Sequence, residues 1–193
     1  MKIKLAALLF LLSCPVSVIG QAQKKAPASK PSDSWIRVDA EKGVASAQWY
    51  LGYIYASGIG VPQDYVEAAR WYRKAAEQGD AGAQFSLGNI YYRGQGVPQD
   101  YAEAARWVRK AADQGNASGQ LSLGHIYRYG EGVPQDYVEA HKWLNLAASR
   151  ATGKEKEIAD FREAVAKLMT PQQIAEAQRR AREWKPKGVG IMR

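Results

Sequence analysis

The sequence predicts an all-α protein, an array of stacked helix-turn-helix units with two further helices closing its C-terminal end. Three observations carry this. The hexapeptide Gly-Val-Pro-Gln-Asp-Tyr occurs at Gly60–Tyr65, Gly96–Tyr101 and Gly132–Tyr137, a fixed period of 36 residues. Between the copies, apolar residues recur at i, i+4, i+7 and i+8, the spacing of one helix face. The junctions carry the residue types that start and stop helices. A unit of this size cannot bury its apolar face alone and must stack on its neighbours. Such arrays offer extended surfaces, so the pattern favours binding over catalysis.

The chain has 193 residues. Residues 1–22 read as a signal peptide. Lys2 and Lys4 precede an apolar run, Leu5–Leu12, that is too short to span a bilayer. Small residues follow, around Gly20 and Ala22, where cleavage can occur. The mature protein is therefore expected outside the cytosol, periplasmic or secreted, with no transmembrane span. Leu11-Leu12-Ser13-Cys14 loosely resembles a bacterial lipoprotein box, which would place a lipid anchor on Cys14. Pro15 and Leu12 fit that pattern poorly, and simple cleavage is the preferred reading. It removes the single cysteine and leaves packing alone to hold the fold. Residues 23–34, rich in Ala, Lys, Pro and Ser, read as a flexible leader.

Residues 35–43 read as a degenerate N-terminal cap. Trp35 lies 36 positions before Trp71, and Ala40-Glu41 matches Ala76-Glu77. Three full repeats follow, at 44–79, 80–115 and 116–151. The first two are identical at 25 of 36 positions. The first helix of each carries the stripe Ala47, Leu51, Ile54, Tyr55, then Ala83, Leu87, Ile90, Tyr91, then Leu123, Ile126, Tyr127. The second helix begins after Asp64, Asp100 or Asp136, with Glu67, Glu103 or Glu139 three residues on. The aspartate can cap exposed backbone N–H groups, and the glutamate can reach back to the cap. Ala68, Trp71 and Ala75 form the buried stripe, matched by Ala104, Trp107, Ala111 and by Ala140, Trp143, Ala147. Gly52, Gly88 and Gly124 fall mid-helix, where glycine costs about 1 kcal/mol against alanine. Tolerating that cost in every unit points to close backbone approach. Asp80 and Asn116 suit the cap of the next unit.

Residues 152–185 read as C-terminal capping helices. Thr152 and Glu155 suggest a capping box before the stripe Ile158, Phe161, Val165, Leu168. Thr170-Pro171-Gln172-Gln173 suggests another, before Ile174, Ala177, Ala181, Trp184. Residues 186–193 read as a tail.

The formal net charge is +8, but residues 35–150 carry 12 basic and 12 acidic side chains. The excess lies in the ends. A nucleic-acid binder concentrates basic residues on its folded face, so no nucleic-acid partner is expected.

The run Leu51-Gly52-x-x-Tyr55-x-x-Gly58-x-Gly60-Val61-x-x-Asp64-x-x-x-Ala68-x-x-Trp71-x-x-x-Ala75-Ala76-x-x-Gly79 resembles the Sel1-like repeat, a tetratricopeptide-like family. The resemblance covers residues 44–148 closely. It implies a right-handed α/α solenoid, and adaptor roles in protein complexes, signalling, envelope processes or host contact. Some secreted Sel1-like proteins with a disulfide in each repeat have been described as binding or slowly hydrolysing penicillins. No cysteine here matches theirs.

The expected function is a non-catalytic scaffold or adaptor of the bacterial cell envelope, monomeric, with a protein or peptide partner. Two alternatives stay open: a weak penicillin-hydrolase-type envelope enzyme, and a factor binding cell wall or lipopolysaccharide through the basic ends. No catalytic residue, metal site or cofactor is assigned. The histidines are His125 and His141, and no His-Glu-x-x-His pattern occurs. His141, replacing Ala69 and Ala105, reads as a partly exposed helix residue. The recurring aspartates are explained by capping and the recurring tryptophans by the core.

Residues that vary between units are the candidates for recognition. At 100° per residue, Trp49, Tyr53 and Ala56 lie opposite the conserved-in-register stripe. Their equivalents are Phe85, Asn89 and Tyr92, then Leu121, His125 and Arg128. Stacking should align them in columns along a groove, where aromatics and arginine serve as anchors.

Overall fold

The computed structural model describes residues 34–150 and 152–188. The readings for the signal peptide, nearly all of the leader, and the last residues of the tail lie outside these. Among the described residues there are nine helices and no strand. A short helix, α1 (Ser34–Glu41), precedes three helical hairpins: α2 (Ala45–Ser57) with α3 (Tyr65–Glu77), α4 (Ala81–Arg93) with α5 (Tyr101–Asp113), and α6 (Ala117–Tyr129) with α7 (Tyr137–Ala148). Two more helices follow, α8 (Glu155–Ala166) and α9 (Pro171–Glu183). Each helix from α1 to α7 packs on the next, and both α8 and α9 pack on α7. The result is an α/α solenoid.

The second helices start as their sequence dictates. Asp64, Asp100 and Asp136 each accept hydrogen bonds from two backbone N–H groups of the first turn. The expected return bond from glutamate is not made. The backbone N–H of each cap already donates to the carbonyl of Tyr55, Tyr91 or Tyr127 in the preceding helix. Glu67, Glu103 and Glu139 turn instead to Arg70, Arg106 and Lys142. At α8 the expected Thr152 box is also absent. Lys154 occupies the cap position, and Glu155 accepts from the backbone N–H of Gly153. The Thr170–Gln173 box at α9 is complete.

Glycine permits two kinds of close approach. A Cβ at Gly88 or Gly124 would lie 2.6 Å from Val108 or 2.8 Å from Leu144, so these positions bring the two helices of a hairpin together. Gly96 and Gly132, at φ +71°, put the loop of one repeat against the start of the second helix of the repeat before it. A Cβ there would collide with backbone atoms of Tyr65 or Tyr101.

A buried glutamine ladder joins the units. The side-chain amides of Gln48, Gln84 and Gln120 donate to the carbonyls of Ala40, Ala76 and Ala112, in or just after the last turn of the preceding helix. Each of these carbonyls, at a helix end, also accepts from the backbone N–H three residues on, that of Gly43, Gly79 or Gly115. Gln78 and Gln114 then donate to the side-chain oxygens of Gln48 and Gln84. The third repeat has Arg150 at that place, and the Gln120 oxygen, fully buried, has no partner.

The core runs as three consecutive clusters, one for each junction. Trp71, Trp107 and Trp143 are buried, with basic side chains such as Lys74, Lys110 and Lys142 over their rings. Two residues differ from expectation, one on a stripe and one read as partly exposed. Leu168 is exposed, because α8 ends at Ala166 and the chain turns away. His141 is buried, as Ala69 and Ala105 are, and its ring bonds to Asn145, which Arg162 of α8 also reaches.

Candidate functional site

The variable face lies along the first helices α2, α4 and α6, and its three columns have different surroundings. Trp49, Phe85 and Leu121 are half-buried. The Trp49 indole donates to Ser86 of α4 at 3.2 Å, and Leu121 packs on the last core cluster. This column serves unit-to-unit packing. Tyr53, Asn89 and His125 form the central column, in which Tyr53 is exposed and the other two are half-buried. Ala56, Tyr92 and Arg128 form the third.

The two ends of the face are aromatic. At the N-terminal end Trp49, Tyr50 and Tyr53 cluster with ring centroids between 6.1 and 6.5 Å apart. At the other end α8 lays Phe161 flat on His125, 3.9 Å between centroids and 13° between planes. Arg128 stands over Phe161 and Tyr129. Burial beneath Phe161 pushes the His125 pKa below the usual histidine range, which favours the neutral ring.

Between these ends lies a cavity of about 330 Å³. It separates the second repeat from the third and is lined by Asn89 and Tyr92 of α4, Val108 of α5, Ser122, His125, Ile126 and Tyr129 of α6, and Glu131. Three of the residues singled out by sequence, Asn89, Tyr92 and His125, meet here. The Tyr92 hydroxyl donates to the Glu131 carboxylate at 3.0 Å, across the repeat boundary. Burial, and then that hydrogen bond, raise the Tyr92 pKa.

The cavity exists at this junction because of one side chain. Val108 forms its floor. The matching residue one repeat earlier is Tyr72, whose ring lies against Gly52 and fills that place, on the side where Ser86 accepts from Trp49. Ser86 corresponds to Ser122, which the shorter valine leaves facing the cavity. At the next junction Leu144 and the overlying Phe161 fill the space.

Sequence reasoning missed Ser122, Tyr129 and Glu131. Glu131 had a visible signal, since it is the one acidic residue among Ile59, Gln95 and Glu131 in the Gly-x-Gly loop. Tyr129 lies just outside the face drawn by helical angle. No group of three or more potential metal-binding side chains occurs among the described residues. No described helix is long and apolar enough to cross a membrane.

Comparison with known families places this geometry. The Sel1 repeat model matches residues 45–80, 81–116 and 117–151, more than half of the chain. The chain belongs to the Sel1 repeat family. Two solved Sel1-type structures resemble it. One is c5321 of uropathogenic Escherichia coli, described as a protective antigen displaying an SLR fold. It is 31% identical at a TM-score of 0.59 over 79% of this chain, which spans only 40% of that one. The other is a Sel1 repeat protein from Oxalobacter formigenes, 38% identical at a TM-score of 0.58. That likeness covers 65% of this chain and 95% of the other. Among curated proteins none matches significantly. Sel1 repeats are in general scaffolds for protein–protein interaction and are typically non-catalytic.

Proposed function

We propose that this protein is a non-catalytic adaptor of the bacterial cell envelope that holds a peptide or protein segment along the face of α2, α4 and α6. The observation that carries the reading is the open cavity where Asn89, Tyr92 and His125 converge on that face. Its walls are aromatic and amide side chains, the residue types that anchor a partner chain. The Sel1 repeat fold supports the same class of function. The envelope location rests on residues 1–22, with their basic start, short apolar run and small residues.

A photo-crosslinking amino acid placed at Tyr53 or Asn89 in living cells is expected to trap a partner, whereas one at Arg70, on a second helix, is not. Replacing Tyr53, Asn89 and His125 together with alanine should leave helical circular dichroism intact and abolish capture. Unchanged capture would remove this face from consideration. The purified protein is expected to leave nitrocefin intact; turnover would restore the enzyme alternative.

A further inference from the structure

The cavity between the second and third repeats has a chemical bias that a general protein-binding face does not require. Its polar end is the Glu131 carboxylate, which receives one proton from Tyr92. A carboxylate offers about four acceptor directions, so most of this one stays available. Among the described residues Glu131 makes no ion pair. The glutamates that open the second helices, Glu67, Glu103 and Glu139, each have a basic partner. The nearby cation, Arg128, is turned over the rings of Tyr129 and Phe161.

The rest of the lining suits the same guest. Tyr92 brings its ring to the carboxylate, while Tyr129 already carries Arg128 over its ring and His125 lies under Phe161, and Val108 and Ile126 make an apolar floor. Ring faces attract a cation, and an apolar floor accepts the methylene stem that carries it. An anionic guest would meet Glu131 directly. A purely apolar guest would desolvate that carboxylate without replacing its water. Asn89, at the same site, supplies an amide that can bond the main chain of an extended segment. The volume suits one long side chain with its flanking backbone.

We infer that this cavity receives a lysine or arginine side chain of a bound protein segment, with Glu131 as its counter-charge. The inference rests on the proposed protein-binding face and specifies what one part of that face selects.

The test is a titration of the ¹⁵N-labelled mature chain with capped pentapeptides Gly-Ser-Lys-Ser-Gly and Gly-Ser-Arg-Ser-Gly. The same peptide with central norleucine and free n-butylammonium serve as comparisons, all at millimolar concentration. The expected result is a saturable shift at Asn89, Tyr92, His125 and Glu131 with a basic peptide. Binding should be about fivefold weaker with norleucine and about fivefold weaker in Glu131→Gln, the scale of one exposed charge contact. Glu131→Gln is isosteric and lies in a loop, and an unchanged melting curve verifies its fold. Equal binding of norleucine, an unaffected Glu131→Gln, or no shift at all overturns the inference. So does n-butylammonium binding as tightly as the lysine peptide, which would mark a small-amine site. A charge-blind response confined to these residues leaves the protein-binding face standing. Shifts confined to other surfaces, with no crosslink from Tyr53 or Asn89, overturn that reading as well.

Discussion

The two ends of the array are closed to different degrees. At the C-terminal end α8 and α9 both pack on α7, burying Ile158, Val165 and Ala177. Trp184 meets Trp143 edge-on, Arg180 pairs with Glu139, and Lys187 reaches back to Asp113 of α5. At the N-terminal end of the described residues one short helix, α1, buries Ile36 and Ala40, and among the described residues Trp35 is 60% exposed. Val38, Val44 and Tyr50 are exposed beside it. The contrast follows from repeat architecture. A repeat presents an apolar flank on each side, and only unlike helices can end the series with a polar outer surface. The last repeat has such helices. The first has half of one more unit.

Removing everything after Arg150 should have the largest effect. Trp143 and Leu144 would lose their cover, and the loss should approach the whole stability of a small domain, about 5 kcal/mol or more. Urea unfolding should then lose its cooperative transition. Removing residues 34–43 should cost about 2–3 kcal/mol, the scale of one buried isoleucine, and keep a single transition. Equal losses would break the contrast between the ends.

Single tryptophans sharpen it. Trp184→Ala should destabilise by about 3 kcal/mol, since it removes a large ring packed on the core. Trp35→Ala should stay within about 0.5 kcal/mol, as an exposed substitution does. The midpoints of urea unfolding compare the two directly.

A smaller effect is pH dependence confined to the C-terminal end. Burial pushes the His141 pKa below the usual histidine range, and Arg162 adds to this. The folded state therefore holds His141 neutral, while the unfolded chain binds its proton more readily. Stability should fall as pH drops below about 6.5 and level off once pH passes below the depressed folded value. His125 contributes in the same direction. In His141→Ala, which restores the residue of the other repeats, the slope between neutral and mildly acidic pH should shrink without vanishing. An unchanged slope would mean that protonation at α7 does not disturb the seat of α8.

How much was legible in the sequence depends on the range of each interaction. The caps Asp64, Asp100 and Asp136 were readable because a cap bonds within its own turn. The packing role of Gly88 and Gly124 was readable because a costly residue recurred in register. The Glu67 return bond failed because a carbonyl from another helix, that of Tyr55, takes the N–H it needs. The glutamine ladder went unread because Gln48 and Gln78 are 30 residues apart and each looks like an ordinary polar helix residue. His141 looked partly exposed because it is a polar residue where the other units have alanine, but the position is buried in every unit, and at the last one Arg162 of α8 reaches over it to Asn145.

The candidate face shows the same division. Helical angle located the three columns, since the period of a helix is a property of the backbone. It could not separate Trp49, spent on Ser86 of the next unit, from Tyr53, which faces outward.

From its own pattern the chain determined that it is helical, that the helices pair in three like hairpins, and which stripe of each turns inward. These follow from periodicity, capping and glycine placement, all local or repeated every 36 residues. The tertiary structure alone decided where the face opens. The cavity depends on Val108 standing where Tyr72 stands one repeat earlier, and on Phe161 arriving from α8 to shut the next junction. Those are differences in side-chain volume across stacked helices, and they become space only once the helices are packed.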